Sequence, residues 1–274
     1  MSEAQAIAEI CAYPWRFAAD PFLIAGGLYY VGNKNVSSYL IDTGDGLILF
    51  DTTFPQTVYL VLESIRRLGF DPGDIRYILI SHGHYDHMGG AKAIAEVTGA
   101  RTVMGKADAE MLNTRPELSW APEYGVELYE AFEPDITPED RQIIALGQTE
   151  ITCLHTPGHT PGCLSYLFEV TESGRRYRVG TFGGPGLNTL SDEYLRKRRL
   201  PFSLRTDYLN SVARLKPERV DIFIGVHPGQ SNNWGKLAAM TDETNPFINS
   251  ADWPAFLTML EDDARARFGP SDGR

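Results

Sequence analysis

His82, His84, Asp86 and His87 place three imidazoles and a carboxylate within six positions of the run Ser81-His82-Gly83-His84-Tyr85-Asp86-His87-Met88-Gly89-Gly90. His159 lies in His155-Thr156-Pro157-Gly158-His159-Thr160-Pro161-Gly162, and His227 in Gly225-Val226-His227-Pro228. Five of the chain's six histidines therefore belong to one candidate arrangement. Imidazole and carboxylate suit zinc, and thiolate is not required. A structural zinc site is normally a closed set of four ligands, often with cysteine. Six candidates without a cysteine read instead as an open, catalytic site for two ions. Two neighbouring ions can share a hydroxide, lower its pKa and keep a nucleophile available at neutral pH.

The steps of two, two and one residue between His82, His84, Asp86 and His87 do not match 3.6 residues per turn, so the set works from a curled loop. A scaffold must hold that loop. Residues 23–31 are rich in β-formers, and 36–41 and 47–51 flank Thr43-Gly44-Asp45-Gly46, a hairpin signal. Across 57–68, Val58, Leu62, Ile65 and Leu68 recur at helical spacing, with Gly69 where a C-terminal glycine belongs. Residues 74–80 return to strand and run into the histidine cluster, after which Gly89-Gly90 opens a helix over 91–97 that Gly99 ends. The second half predicts strands over 142–154 around Gly147, then 164–170 and 177–182 with Glu172-Ser173-Gly174 as the turn. A helix over 207–215, a strand over 220–226 that delivers His227, and a helix over 251–268 with Pro254 in its first turn complete the reading. Two halves, each strands then helices, predict two β-sheets packed together with helices outside, in one domain over 1–274.

The chain has 274 residues, 43% of them hydrophobic, and a formal net charge of -11. That is ample for a buried core, and a poor match for nucleic-acid phosphates. Cys11, Cys153 and Cys163 are odd in number and do not form a disulfide framework. The opening residues are acidic, and 6–13 is too short for a signal-peptide apolar region. No run of about 18 apolar residues predicts a membrane span. The expectation is a cytoplasmic protein acting on a small molecule, with neither nucleic acid nor membrane as partner; a removed leader would make it periplasmic. Its oligomeric state stays open.

The histidine segments, with Leu40-Ile41-Asp42-Thr43 and Leu47-Ile48-Leu49-Phe50-Asp51-Thr52, resemble the metallo-β-lactamase superfamily over nearly the whole length. The resemblance implies the αββα sandwich, two mixed β-sheets flanked by helices with a dinuclear site at one edge. Residues 21–32, 155–162 and 245–249 resemble the subclass-three metallo-β-lactamases more closely. Carried over by position, a first zinc ion is held by His82, His84 and His159, and a second by Asp86, His87 and His227. Asp51 would brace a ligand from behind, as metal-bound histidines generally need. Most members also keep a bridging aspartate, or a cysteine, where this chain reads Thr181-Phe182-Gly183-Gly184-Pro185-Gly186. Its absence disfavours the lactonase and glyoxalase-II types and fits subclass three. The implied reaction is hydrolysis of a β-lactam amide by metal-activated hydroxide, with Asp86 as the catalytic residue that orients it.

The remaining candidates carry plainer expectations. His155 shares a strand face with Ile151 and Cys153 and reads as a packed, hydrogen-bonded residue. Cys153 and Cys163 read as small buried hydrophobes. Arg196-Lys197-Arg198-Arg199 reads as a solvated face, although its segment could border the site mouth and offer a cation to a substrate carboxylate. Trp120, Tyr124, Tyr129 and Phe132, in an irregular stretch over 113–134, are candidates for a binding wall or for core. Two other functions compete with β-lactam hydrolysis. One is zinc-dependent hydrolysis of another ester, lactone or amide. The other is a di-iron redox module, disfavoured because His84 stands where that type has an acidic residue and no flavin-binding domain is present.

Overall fold

The computed structural model describes residues 9–126 and 132–269. One sheet has six strands in sequence order: β1 (Phe22–Ala25), β2 (Leu28–Tyr30), β3 (Tyr39–Asp42), β4 (Leu47–Phe50), β5 (Ile75–Leu79) and β6 (Arg101–Val103). β1 to β4 pair antiparallel, whereas β4, β5 and β6 are parallel neighbours. Parallel neighbours need crossovers. Helices Val58–Arg67 and Ala91–Thr98 supply them. The second sheet comprises β7 (Ile143–Leu146), β8 (Thr149–His155), β9 (Leu164–Glu172), β10 (Arg175–Thr181) and β11 (Ile222–Phe223), in the spatial order β11-β10-β9-β8-β7. It is antiparallel except for β10 with β11.

Alternation along the strands sends successive side chains to opposite faces, and this builds four layers. Ile41, Ile48, Phe50 and Leu79 share the space between the sheets with Ile151, Cys153, Tyr166 and Phe168. Their neighbours Leu40, Leu49 and Ile78 face the other way, onto Val61, Ile65 and Ile94 of the crossover helices. On the far side, Leu154, Leu167 and Phe223 pack with Val212 and Leu215 of helix Leu204–Leu215 and Leu257 of helix Asp252–Phe268. The result is the expected αββα sandwich of two mixed sheets.

Several boundaries differ from the sequence reading. Residues 23–31 divide at Gly26-Gly27, both at positive φ; a Cβ on Gly26 would lie 2.5 Å from the Thr171 carbonyl oxygen. The strand expected over 220–226 shortens to Ile222–Phe223. Beyond it the backbone leaves β10 for the other sheet: Ser37 N donates to Val226 O, and Tyr39 Oη to Gly225 O. The stretch over 113–134 is less irregular than expected, holding the end of helix Lys106–Thr114 and single turns at Pro116–Ser119 and Ala121–Tyr124. β6 and helices Lys106–Thr114, Asp192–Arg198 and Asn233–Ala239 were not anticipated. Tyr129 lies outside the described residues. Among the described residues no helix is long and apolar enough to cross a membrane.

Ile48 is fully buried between the sheets, whereas Val97 is 70% exposed. Ile48→Ala is expected to cost about 2–5 kcal/mol of unfolding free energy and Val97→Ala under about 0.5 kcal/mol, measured by urea denaturation.

Candidate metal centre

The candidate ligands sit where strands end. β5 stops at Leu79, and His82 and His84 follow, His84 on extended backbone. The single helical turn Tyr85–Met88 then presents Asp86 and His87. His159 comes from the loop between β8 and β9, and His227 from the segment after β11. Hydrogen bonds between the sheets fix these loops together: Leu164 N donates to Ser81 O at 2.8 Å, and Tyr166 Oη to Ile80 O at 2.8 Å.

The six side chains fall into two groups of three: His82, His84 and His159, and Asp86, His87 and His227. In the first, His84 Nδ1 lies 3.1 Å from His82 Nε2 and 3.0 Å from His159 Nε2. In the second, His87 Nε2 lies 3.3 Å from His227 Nε2 and 3.2 Å from Asp86 Oδ2. A tetrahedral zinc ion bonded to nitrogens at about 2.0–2.1 Å keeps them about 3.3–3.4 Å apart, so the spacing fits such an ion.

The outward nitrogens decide which lone pairs point inward. His87 Nδ1 contacts Asp51 Oδ2 at 2.8 Å, His159 Nδ1 the Gly186 carbonyl at 2.7 Å, and His227 Nδ1 the Asn35 carbonyl at 2.8 Å. His82 Nδ1 lies 2.9 Å from Ser81 Oγ, which donates to Asp51 Oδ2 at 2.7 Å. An imidazole that donates outward to an oxygen keeps its inner nitrogen free to ligate. Asp51 thus stands behind both groups, and its Oδ1 also accepts from Ser81 N at 2.7 Å. To reach this place it adopts φ 47, with Thr53 at φ 59. These are sparsely populated conformations for non-glycine residues, of the kind that collect at functional sites.

Charge distinguishes the two groups. Burial holds His82 and His84 well below the usual imidazole range, reinforced by neighbouring rings. Burial pushes His159 down to about 4, against the Gly186 carbonyl. His87 behaves oppositely: burial lowers it, but the Asp86 and Asp51 carboxylates outweigh burial and raise it to about 10. Burial likewise works to raise Asp86, yet the His87 imidazolium holds it well below the usual carboxylate range. A third buried carboxylate, Asp108, lies behind the His82 and His159 loops and was missed in the sequence. Burial pushes it up to about 6, against donors from Thr160, Gly83 and Gly162.

A cavity of about 200 Å³ opens over both groups, walled by Trp120, Tyr124, Pro185, Gly186, Asn188 and Gln230 among others. Trp120 and Tyr124 therefore form wall, while Phe132 packs on the core under the first sheet. Trp120 leans on Tyr194, with ring centroids 4.9 Å apart. The basic run does not offer the cavity a free cation through Arg198, whose side chain is 14% exposed and pairs with Glu123. His155 donates from Nε2 to the Pro138 carbonyl at 2.8 Å and stands outside both groups. Cys153 and Cys163 are buried thiols pushed up by burial, Cys153 to about 12. Where residues 183–186 pass the site they contribute backbone: a Cβ on Gly184 would lie 2.8 Å from His159 Cβ, and one on Gly186 2.9 Å from His159 Cε1.

The family model of the metallo-beta-lactamase superfamily matches residues 31–227, which include every one of these groups. The chain belongs to the metallo-β-lactamase superfamily. It is a hydrolase of that superfamily, and its solved neighbours narrow the kinship. BJP-1, a subclass B3 metallo-β-lactamase of Bradyrhizobium japonicum, is 31% identical, with 92% of this chain and 95% of that one superposed at a TM-score of 0.81. The FEZ-1 metallo-β-lactamase of Legionella gormanii is 29% identical over 91% of this chain and 95% of its own, also at 0.81. An N-acyl homoserine lactonase from Bacillus sp is 27% identical over 68% of this chain and 79% of its own length.

In the metal-free protein His87 keeps its second proton up to about pH 10, whereas the unfolded chain loses it near pH 6.5. The stability it lends is fully present below pH 6.5 and is lost as pH rises through about 10. Melting curves of chelator-stripped protein are expected to fall across pH 7–10. Zinc binding at pH 8 should release about one proton from His87, read by calorimetry in buffers of differing ionisation enthalpy.

Proposed function

We propose that the chain is a zinc-dependent hydrolase that opens β-lactam amides, with one ion held by His82, His84 and His159 and a second by Asp86, His87 and His227. The observation that carries this reading is the pair of adjacent three-atom groups whose inner nitrogens converge while their outer nitrogens meet oxygen atoms. The likeness to BJP-1 over 92% of the chain supports the β-lactam as substrate. Zinc bound there would supply Lewis acidity at the scissile carbonyl and a water acidic enough to attack at neutral pH.

The chain's own residues do the rest. Asp86, kept ionised beside His87, orients the attacking water by accepting its hydrogen bond. Water adds its oxygen to the carbonyl carbon; as the amide C–N bond breaks, the departing nitrogen takes the proton. Trp120 and Tyr124 give the substrate's non-reacting part an aromatic surface, and Asn188 and Gln230 give its polar groups neutral amides.

A second reading, hydrolysis of a lactone or another ester, is favoured by that same wall. Among the described residues no Lys or Arg lines the cavity, and Arg198 behind it is committed to Glu123. A neutral lactone needs no cation there, whereas the common β-lactams bring a carboxylate.

A panel of penicillin, carbapenem, lactone and thioester substrates with added zinc separates the two readings. β-Lactam turnover is expected, abolished by chelator and reduced more than about a hundredfold in His84→Ala, since residues outside the ligand shell alone already change metal-site activity 10–100-fold. Lactone turnover without β-lactam turnover would replace the first reading with the second.

A further inference from the structure

Asp108 occupies the first turn of helix Lys106–Thr114 and has no exposed surface. Its Oδ2 accepts from Gly83 N at 2.6 Å and from Thr160 Oγ1 at 2.7 Å, and its Oδ1 accepts from Gly162 N at 2.6 Å. Gly83 is the residue between His82 and His84, and Thr160 follows His159. One carboxylate therefore grips both loops that carry the first group of imidazoles, and these bonds reach none of the residues of the second group.

The surroundings are built for this contact. A Cβ on Gly162 would lie 2.3 Å from Asp108 N, one on Gly83 3.2 Å from Asp108 Cβ, and one on Gly105 1.9 Å from Gly162 O. None of these three glycines has positive φ. Room for three loops to meet at one carboxylate, rather than backbone freedom, is what requires glycine at these positions. Asp51 is wired differently. It touches His87 directly and His82 through Ser81 Oγ, so it serves both groups.

We propose that Asp108 is the positioning residue of the first metal group: it sets the separation of the His82–His84 loop from the His159 loop, so that its loss weakens the first ion and spares the second. This rests on the reading that the two groups hold metal ions. Short bonds from N–H and O–H donors to a buried carboxylate are strong. Without their acceptor, two buried backbone N–H groups lose their partner, and the loops relax to satisfy them. Asp108→Asn keeps the volume but turns an amide NH2 toward at least one of those N–H donors.

The test is metal binding by chelator-stripped protein, followed by zinc competition with a chromophoric chelator and by cadmium-113 NMR, which gives a resonance for each occupied site. His84→Ala assigns the first group's resonance. In Asp108→Asn the affinity of that site is expected to fall 10–100-fold, the range for outer partners of metal ligands, while the second site keeps wild-type affinity. Asp51→Asn is expected to weaken both. Thr160→Val removes a single donor and should give the same selective pattern at smaller size, which covers the case in which Asp108→Asn does not fold. Equal loss at both sites, or no loss at either, overturns the proposal and leaves the metal reading standing; wild-type protein that binds no ion overturns both.

Discussion

Imidazole lone pairs that converge in a dry space repel one another unless a cation lies between them. The first group holds His84 Nδ1 3.1 and 3.0 Å from the ring nitrogens of His82 and His159, on side chains buried almost completely. Such an arrangement persists only because the scaffold over-determines it. Each loop is tied to a different element: the His82 loop to β9 through Ser81 O, the His159 ring to the backbone at Gly186, and the His227 ring to Asn35. The core between the sheets is thus also the foundation of the site, since the strands that fill it end in the loops that carry the candidate ligands.

Buried carboxylates answer the problem of charge. Asp51 and Asp86 flank His87 and turn it into the most basic imidazole of the cluster, while the other four are held neutral by burial. Neutral rings on one side and a carboxylate-bracketed ring on the other give two unlike environments a few ångströms apart. An enzyme that must activate water and also stabilise a departing group benefits from such a division.

Most of this was legible in the sequence because side-chain chemistry and strand periodicity are local properties. The His82-to-His87 spacing announces a loop site, and the short apolar runs at 47–50 and 164–168, bounded by turn residues, announce buried strands. Asp108 was not legible. Its three bonds reach 25, 52 and 54 residues along the chain, and alone in an alanine-containing helix it looks like an ordinary first-turn acid. β6 was missed because three residues are too few to show a period. The strand at 220–226 was over-extended because an apolar run says nothing about where a neighbouring strand stops offering partners. Arg198 looks solvated among its basic neighbours because its partner Glu123 is 75 residues away.

The glycines at 183, 184 and 186 also constrain what the site can accept. A side chain at Gly184 would begin 2.6 Å from Cys163 Sγ and 2.8 Å from His159 Cβ. A carboxylate there would collide with His159 as well as with Cys163, so it could enter only by displacing a candidate ligand. Any metal chemistry at this site is thereby confined to the side chains already gathered around it.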